Sequence, residues 1–251
     1  ILQRTVTECS LTCEAMQKVV SAEYAFMAGA FKEDARRLPR VLRDHGVRTP
    51  GAFDPHATRL LLRDVMGRAA RKLASPDRFR DELIPADVNV LLANRSVAGI
   101  SDDFFSWWMI VGNNIVLDVE EPDWHLMADH CAAHPNLIGL LYVAHAGDSV
   151  SGFINAFMLL RTETSLTRAY LLLRAHQLRE KEWPAQLSDA FSDTPPPDVV
   201  LDYFSNQPLR YSRERGLLWS VGPDGTDNDG DPAKDIVLDL ANPVKISKPQ
   251  P

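Results

Sequence analysis

The feature that most constrains this chain is a change of period near residue 183. Before it, apolar residues recur at steps of three and four; after it, they come in short bursts between Pro, Gly and Asp. One pattern buries a helical stripe and the other alternate positions of a strand, so a single element type cannot serve both regions. Trp183-Pro184 ends the helical pattern, and Pro195-Pro196-Pro197 supplies a stiff connection to the C-terminal region. The expectation is a helical body with a small β appendage, which is too short in strands to bury a core alone.

Within the helical region, Cys9, Cys13, Met16, Val20, Tyr24, Met27 and Phe31 trace one face of a helix. That pattern continues to about His45, where Gly46 and then Pro50-Gly51 mark a stop. A second helix is expected over roughly Pro55 to Leu73, with Leu60, Leu61, Val65 and Ala69 inside and Arg59, Arg63, Arg68 and Lys72 outside. Ser75-Pro76-Asp77 reads as a further helix start, since Ser can cap and Pro pre-shapes the first turn. Ile84 to Leu92 is a short helix, and Ser101-Asp102-Asp103 is expected to cap an apolar one carrying Phe104, Phe105, Trp107, Trp108 and Ile110. Another spans Glu120 to Ala133. After Pro135 the pattern runs to about Glu182 with a break expected near Gly147-Asp148, and Leu166, Ala169, Tyr170, Leu171, Leu173, Ala175 and Leu178 give its second half a wide apolar face. Short strands are expected around Leu209 to Tyr211, Leu217 to Val221 and Ile236 to Leu240, with a loose tail after them.

Composition removes several function classes. The 251 residues are 45% hydrophobic, enough for a substantial core, and carry 27 basic against 34 acidic side chains, a net charge of -7. That balance disfavours nucleic acid, whose binding rests on Lys and Arg neutralising phosphates. No apolar run reaches the 18 to 20 residues of a membrane span: Phe104 to Val119 comes nearest and carries Asn113 and Asn114 in its middle. The chain starts at Ile1 rather than Met, from which removal of a leader or anchor is expected. Cys9, Cys13 and Cys131 form no C-x-x-C pair; three thiols, or one bridge from Cys9 or Cys13 to Cys131, both remain open.

The remaining charge pattern is local. Asp224, Asp227, Asp229, Asp231 and Asp235 fall within twelve positions, with Thr226 and Asn228 adding neutral oxygens and Gly222, Gly225 and Gly230 adding permissive backbone. A hard cation that takes six to eight oxygen ligands suits such a stretch, and calcium is the expected ion. Without a metal the stretch would be a solvated acidic hairpin, self-repulsive but screened by salt. An EF-hand does not fit. Starting that loop at Asp224 puts Asp229 at the sharp-turn glycine position and Asp235, not Glu, at the last one.

Residues 165 to 240 carry a resemblance. A helix ends at Trp183-Pro184. Asp202-Tyr203-Phe204-Ser205-Asn206-Gln207-Pro208-Leu209-Arg210-Tyr211 comes next, then Trp219-Ser220-Val221-Gly222-Pro223-Asp224-Gly225, and finally Asp235-Ile236. In order and spacing this resembles the major pseudopilin of type II secretion and related bacterial extracytoplasmic proteins. The resemblance implies a calcium ion ordering the C-terminal strands, with Asp224 and Asp235 as carboxylate ligands. The Val221 carbonyl and one or two of Asp227, Asp229 and Asp231 would complete the shell. It covers under a third of the chain, and about 150 residues of helical body precede the matching helix.

Other constellations carry less. His130 and His134 stand at i, i+4 with His125, Asp129 and Cys131 nearby, but there is no H-E-x-x-H and solvent-exposed or capping histidines are expected. No G-x-S-x-G, G-x-G-x-x-G or Walker A motif appears. The aromatic run Phe104 to Trp108 is expected in the core. The fold expected is therefore mainly α, a multi-helix body (1–147), then a long helix with a small pseudopilin-like antiparallel β module (148–241) and a flexible tail (242–251). The function expected is that of an extracytoplasmic, calcium-binding structural or assembly protein, in the periplasm or at the cell surface. Its partners would be proteins, and membrane contact would come only through an anchor absent from this chain. The rival is an enzyme or small-ligand-binding protein with its site in the helical body.

Overall fold

The computed structural model describes residues 13–74, 82–93, 95–108, 120–191, 200–243 and 245–249. The protein is mainly α with a C-terminal antiparallel β module. The helices are α1 (Cys13–Asp44), α2 (Pro55–Ala74), α3 (Ala86–Leu92), α4 (Arg95–Trp107), α5 (Trp124–Ala133) and α6 (Leu137–Glu180), with a single helical turn at Thr49–Ala52. The strands are β1 (Leu201–Asp202), β2 (Gln207–Pro208), β3 (Arg210–Ser212), β4 (Leu217–Ser220), β5 (Ile236–Asp239) and β6 (Ile246–Ser247). The chain forms two compact units, one of Cys13–Arg71 with Asp81–Ser151 and one containing Gly152–Pro251. The expected boundary at 147/148 and this division at 151/152 both fall within α6.

In the helical unit, α1 stops where Gly46 requires it. Gly46 has φ +81, its N–H donates to the Arg43 carbonyl (3.0 Å), and the Val47 N–H reaches back to Leu42 (2.8 Å), a Schellman closure. Leu42 and Val47, the apolar pair that accompanies such a closure, are both buried. Asp54 then caps α2, its Oδ1 accepting from the His56 and Ala57 amides with Pro55 at the first helical position. Asn136, at φ +58 before α6, accepts from the Asp54 amide (2.6 Å) and from Thr58 Oγ1 (3.2 Å). The start of α6 is thereby pinned to the start of α2. The core gathers Phe31, Leu38 and Leu42 of α1 with Leu62 and Val65 of α2, the run Phe104, Phe105, Trp107 and Trp108, and Leu137, Ile138 and Leu141 of α6. The aromatic run is core, as expected. Cys131 is a buried free thiol with its pKa pushed up to about 12 by burial, while Cys9 lies outside the described residues.

Several expectations are corrected here. Leu60 is 51% exposed and Leu62 takes its place inside, because the buried stripe of α2 runs through Thr58, Leu62, Val65, Met66, Ala69 and Leu73. Ser101-Asp102-Asp103 caps nothing; α4 starts six residues earlier and runs through them. α6 is unbroken at Gly147-Asp148. Gly147 serves a close approach instead, since a Cβ there would lie 2.5 Å from Ile84 Cγ1. α6 is also long and apolar enough to cross a membrane by length and hydropathy, but 56% of its apolar stretch is buried in protein, as in a core helix. Ile110, Asn113, Asn114, the Ser75-Pro76-Asp77 start and the Pro195 to Pro197 connection lie outside the described residues.

In the C-terminal unit, β1 pairs with β2, while β3, β4, β5 and β6 form a four-stranded antiparallel sheet in sequence order. β4 and β5 are its buried centre, pairing Leu217 with Asp239 through Ser220 with Ile236. The expected loose tail contributes β6, whose Ser247 and Ile246 pair with Val237 and Leu238. The module packs on α6 through particular contacts. The Arg161 guanidinium lies 4.2 Å over the Tyr203 ring and donates to its hydroxyl (2.9 Å), Lys248 pairs with Glu163, and just past the helix end Arg213 pairs with Glu182 (2.8 Å). Tyr211 donates to the Pro184 carbonyl (2.9 Å), so the Trp-Pro step is tied to β3. The apolar face of α6 in this unit is narrower than expected. Leu166, Ala169 and Leu173 are buried, but Leu171, Ala175 and Leu178 are exposed.

Candidate metal centre

The aspartate run is the loop between β4 and β5, and two strand ends frame it. β4 ends at Ser220 and leads through the buried Val221 to Gly222 at φ +67, where a Cβ would come within 3.0 Å of the Lys234 carbonyl oxygen. Only glycine fits that turn comfortably. Asp229 and Gly230 also adopt positive φ, +60 and +71, which folds the run back on itself. β5 begins just after Asp235, whose side chain is fully buried.

The five aspartates divide three ways. Asp227 and Asp229 face cations: Asp227 Oδ2 meets Arg210 Nε at 3.3 Å, and Asp229 Oδ1 meets Arg215 Nη1 at 3.3 Å. Asp227 Oδ1 also accepts from the Trp219 indole N–H (3.0 Å) and the Asp229 amide (3.0 Å). Burial would raise its pKa, yet those two bonds and Arg210 outweigh it and hold the carboxyl below its ordinary value. Asp231 is exposed and closes a turn, its carboxylate accepting from the Ala233 amide and its carbonyl from the Lys234 and Asp235 amides.

Asp224 and Asp235 converge instead on Asn228. The Asn228 amino group lies 3.1 Å from Asp224 Oδ2 and 2.9 Å from the Thr226 carbonyl, while its backbone N–H points at Asp235 Oδ1 (3.4 Å). Asp235 Oδ2 accepts from the Gly230 amide at 2.7 Å. Burial raises the Asp235 pKa, opposed by these N–H bonds and supported by nearby Asp227, and the net direction is up. Among the described residues no basic side chain pairs with Asp235, whereas the equally buried Asp202 has Arg210 at 2.8 Å. No three His, Cys, Asp or Glu side chains gather at one point among the described residues. A cation here would therefore draw on Asp224, Asp235 and neutral oxygens of the loop, and such an oxygen-only donor set fits a hard ion. Val221, whose carbonyl is the backbone ligand that the resemblance implies, donates its own amide to Asp202 (3.1 Å).

Asp202 is the residue that sequence reasoning passes over. It stands there only as the first letter of a motif, because a fully buried carboxylate outside the acidic run has no signature in spacing. Its two oxygens accept from five donors: Phe204 N, Ser205 Oγ, Arg210 Nη1, Ser220 Oγ and Val221 N. His130 and His134 of α5 stack at 6.3 Å between ring centroids, and His134 caps the helix C-terminus.

Fold and loop together define a mainly α protein with a C-terminal β module built around an aspartate-rich loop. Compared with protein families, curated proteins and solved structures, the chain matches none.

Proposed function

We propose that this chain is a structural or assembly protein of an extracytoplasmic compartment whose C-terminal module is pseudopilin-like and is ordered by calcium. The reading rests foremost on Asp235, a fully buried carboxylate that no cation balances among the described residues. Burying an ionised carboxylate is costly unless a charge or several hydrogen bonds compensate it, and a calcium ion would supply the missing charge. The place for the ion is where the Asn228 amino group now bridges two oxygens, Asp224 Oδ2 and the Thr226 carbonyl. Rotation of that amide would present its own oxygen to the same point. Asp224 and Asp235 are then the carboxylate ligands, and the Val221 carbonyl is a further one. Asp227 and Asp229, neutralised by Arg210 and Arg215, stay at the rim with Asp231.

An ion at this position joins the end of β4 to the start of β5, the two central strands of the sheet. Its work is to fix the module, and the partners that the module meets are proteins. The test is a calorimetric titration of chelator-treated protein with calcium. One ion should bind, with Kd on the order of 10⁻⁴ M as in extracellular modules. Asp224→Asn and Asp235→Asn should each remove most of the heat. A flat titration of the folded wild-type chain would rule the reading out.

A further inference from the structure

Four large apolar side chains of α6 stand in solvent in the unit containing Gly152–Pro251, and they fall on one line. Phe153, Leu160, Leu171 and Leu178 are between 39% and 58% exposed. They are separated by 7, 11 and 7 residues, close to two, three and two whole turns, so all four lie on one face. The positions between them on that face, Ala156, Thr164, Thr167 and Ala175, are small and uncharged. Neither threonine needs a partner there, since Thr164 Oγ1 donates to the Leu160 carbonyl (2.8 Å) and Thr167 Oγ1 to the Glu163 carbonyl (2.8 Å). The opposite face, with Ser165, Leu166, Ala169 and Leu173, is buried.

The stripe reads the same in both directions. About a point between Ser165 and Leu166, Phe153 mirrors Leu178, Ala156 mirrors Ala175, Leu160 mirrors Leu171 and Thr164 mirrors Thr167. A twofold interface needs such a patch, one that is complementary to itself. Two copies laid antiparallel about that point set large residues level with large and small with small over about 38 Å of helix. Charge selects the direction. Exposed Arg174 and Arg179 flank the stripe on its two sides, five residues apart, the spacing at which flanking residues of a parallel pair meet across the seam. A parallel pairing therefore sets these like charges against each other twice, whereas the antiparallel one sets Arg174 level with Phe157 and Arg179 level with Gly152.

We propose that the exposed stripe of α6 is a homodimer interface, across which a second copy of this chain lies antiparallel. A stripe about 38 Å long and about 10 Å wide covers about 400 Å² of each copy. An exposed apolar patch of several hundred Å² is often a contact surface. The total, about 800 Å², falls short of the roughly 1,200–2,000 Å² of a standard interface, so the dimer is weak, with Kd about 10–100 μM. The interface does not involve the aspartate-rich loop, and its formation is independent of calcium.

The test is sedimentation equilibrium of the full chain, which should show a monomer–dimer equilibrium. Leu160→Glu and Leu171→Lys should each weaken it by about 10-fold or more, because each places an unpaired charge in the seam at two symmetric points. Mixing the two variants should restore the dimer, since the hybrid sets the introduced carboxylate level with the introduced ammonium and keeps one Leu160 to Leu171 pair. Both positions are exposed, so circular dichroism should report folded variants. Should either fail to fold, Phe153→Glu mixed with Leu178→Lys repeats the experiment at the ends of the stripe. Wild-type chain that stays monomeric at about 1 mM overturns the inference. So do single variants that dimerise like the wild type, and weakened variants that mixing does not restore. Flotation of monomeric wild-type chain with phosphatidylcholine and phosphatidylglycerol vesicles, lost in Leu160→Glu, would assign the face to a membrane and overturn it as well.

Discussion

At the scale of single residues, the C-terminal unit turns on two fully buried carboxylates with opposite compensation. Asp202 is met by five donors including Arg210, and Asp235 by backbone amides. Asp202→Ala would strand Arg210 and leave the Val221 amide without its acceptor, so it should cost about 2–4 kcal/mol, read as a lower urea midpoint at unchanged slope. The two shifted loop carboxyls give stability opposite pH dependences. Asp235 has its pKa raised in the folded state, so metal-free protein binds that proton more tightly than the unfolded chain does. Its contribution falls as pH rises from 3.8 to the raised value, and Asp235→Asn should flatten that fall. Asp227 is depressed, so its contribution is present above 3.8 and lost as pH falls through the lower folded value. Urea unfolding of chelator-treated Asp235→Asn and Asp227→Asn across that range separates the two. The sequence makes the loop aspartates conspicuous as a group, but burial divides them, and burial depends on strand pairing that no spacing reveals.

At the scale of elements, what was legible is what local chemistry dictates. The end of α1 is set by Gly46, and replacing it by Ala at φ +81 should cost about 1–2 kcal/mol, measured by thermal unfolding. The start of α4 was not legible. Ser101-Asp102-Asp103 has cap chemistry, but tertiary packing that buries Ser101 and Val97 keeps those residues inside the helix. Gly147 likewise looks like a breaker and is a contact site. Gly139 is the sharper case: a Cβ there would lie 2.0 Å from Thr58 Oγ1 and 2.3 Å from Asn136 Oδ1, the atoms that tie α6 to the start of α2. Gly139→Ala should therefore destabilise by about 2 kcal/mol, even though alanine favours a helix by about 1 kcal/mol. A stabilised variant would contradict the packing described.

At the scale of the whole molecule, the change of period near residue 183 marks the architecture: helices before it, an antiparallel module after it, with α6 running to the edge of the transition. The module leans on α6 because its few short strands cannot close a core; Arg161 on Tyr203 and Lys248 on Glu163 hold it to the helix, and Arg213 on Glu182 and Tyr211 on Pro184 hold it to the segment just past the helix end. The purpose of the helical body left no comparable trace, since core residues report packing and not chemistry. The central claim is that calcium orders the module, and the melting temperature of chelator-treated chain with and without about 10 mM calcium tests it most directly. At roughly 100 times Kd a ligand of the folded state adds about 2.7 kcal/mol. For a chain of this length that is a rise of about 5–10 °C, reduced or absent in Asp235→Asn. A wild-type melting temperature that calcium leaves unchanged would contradict the account.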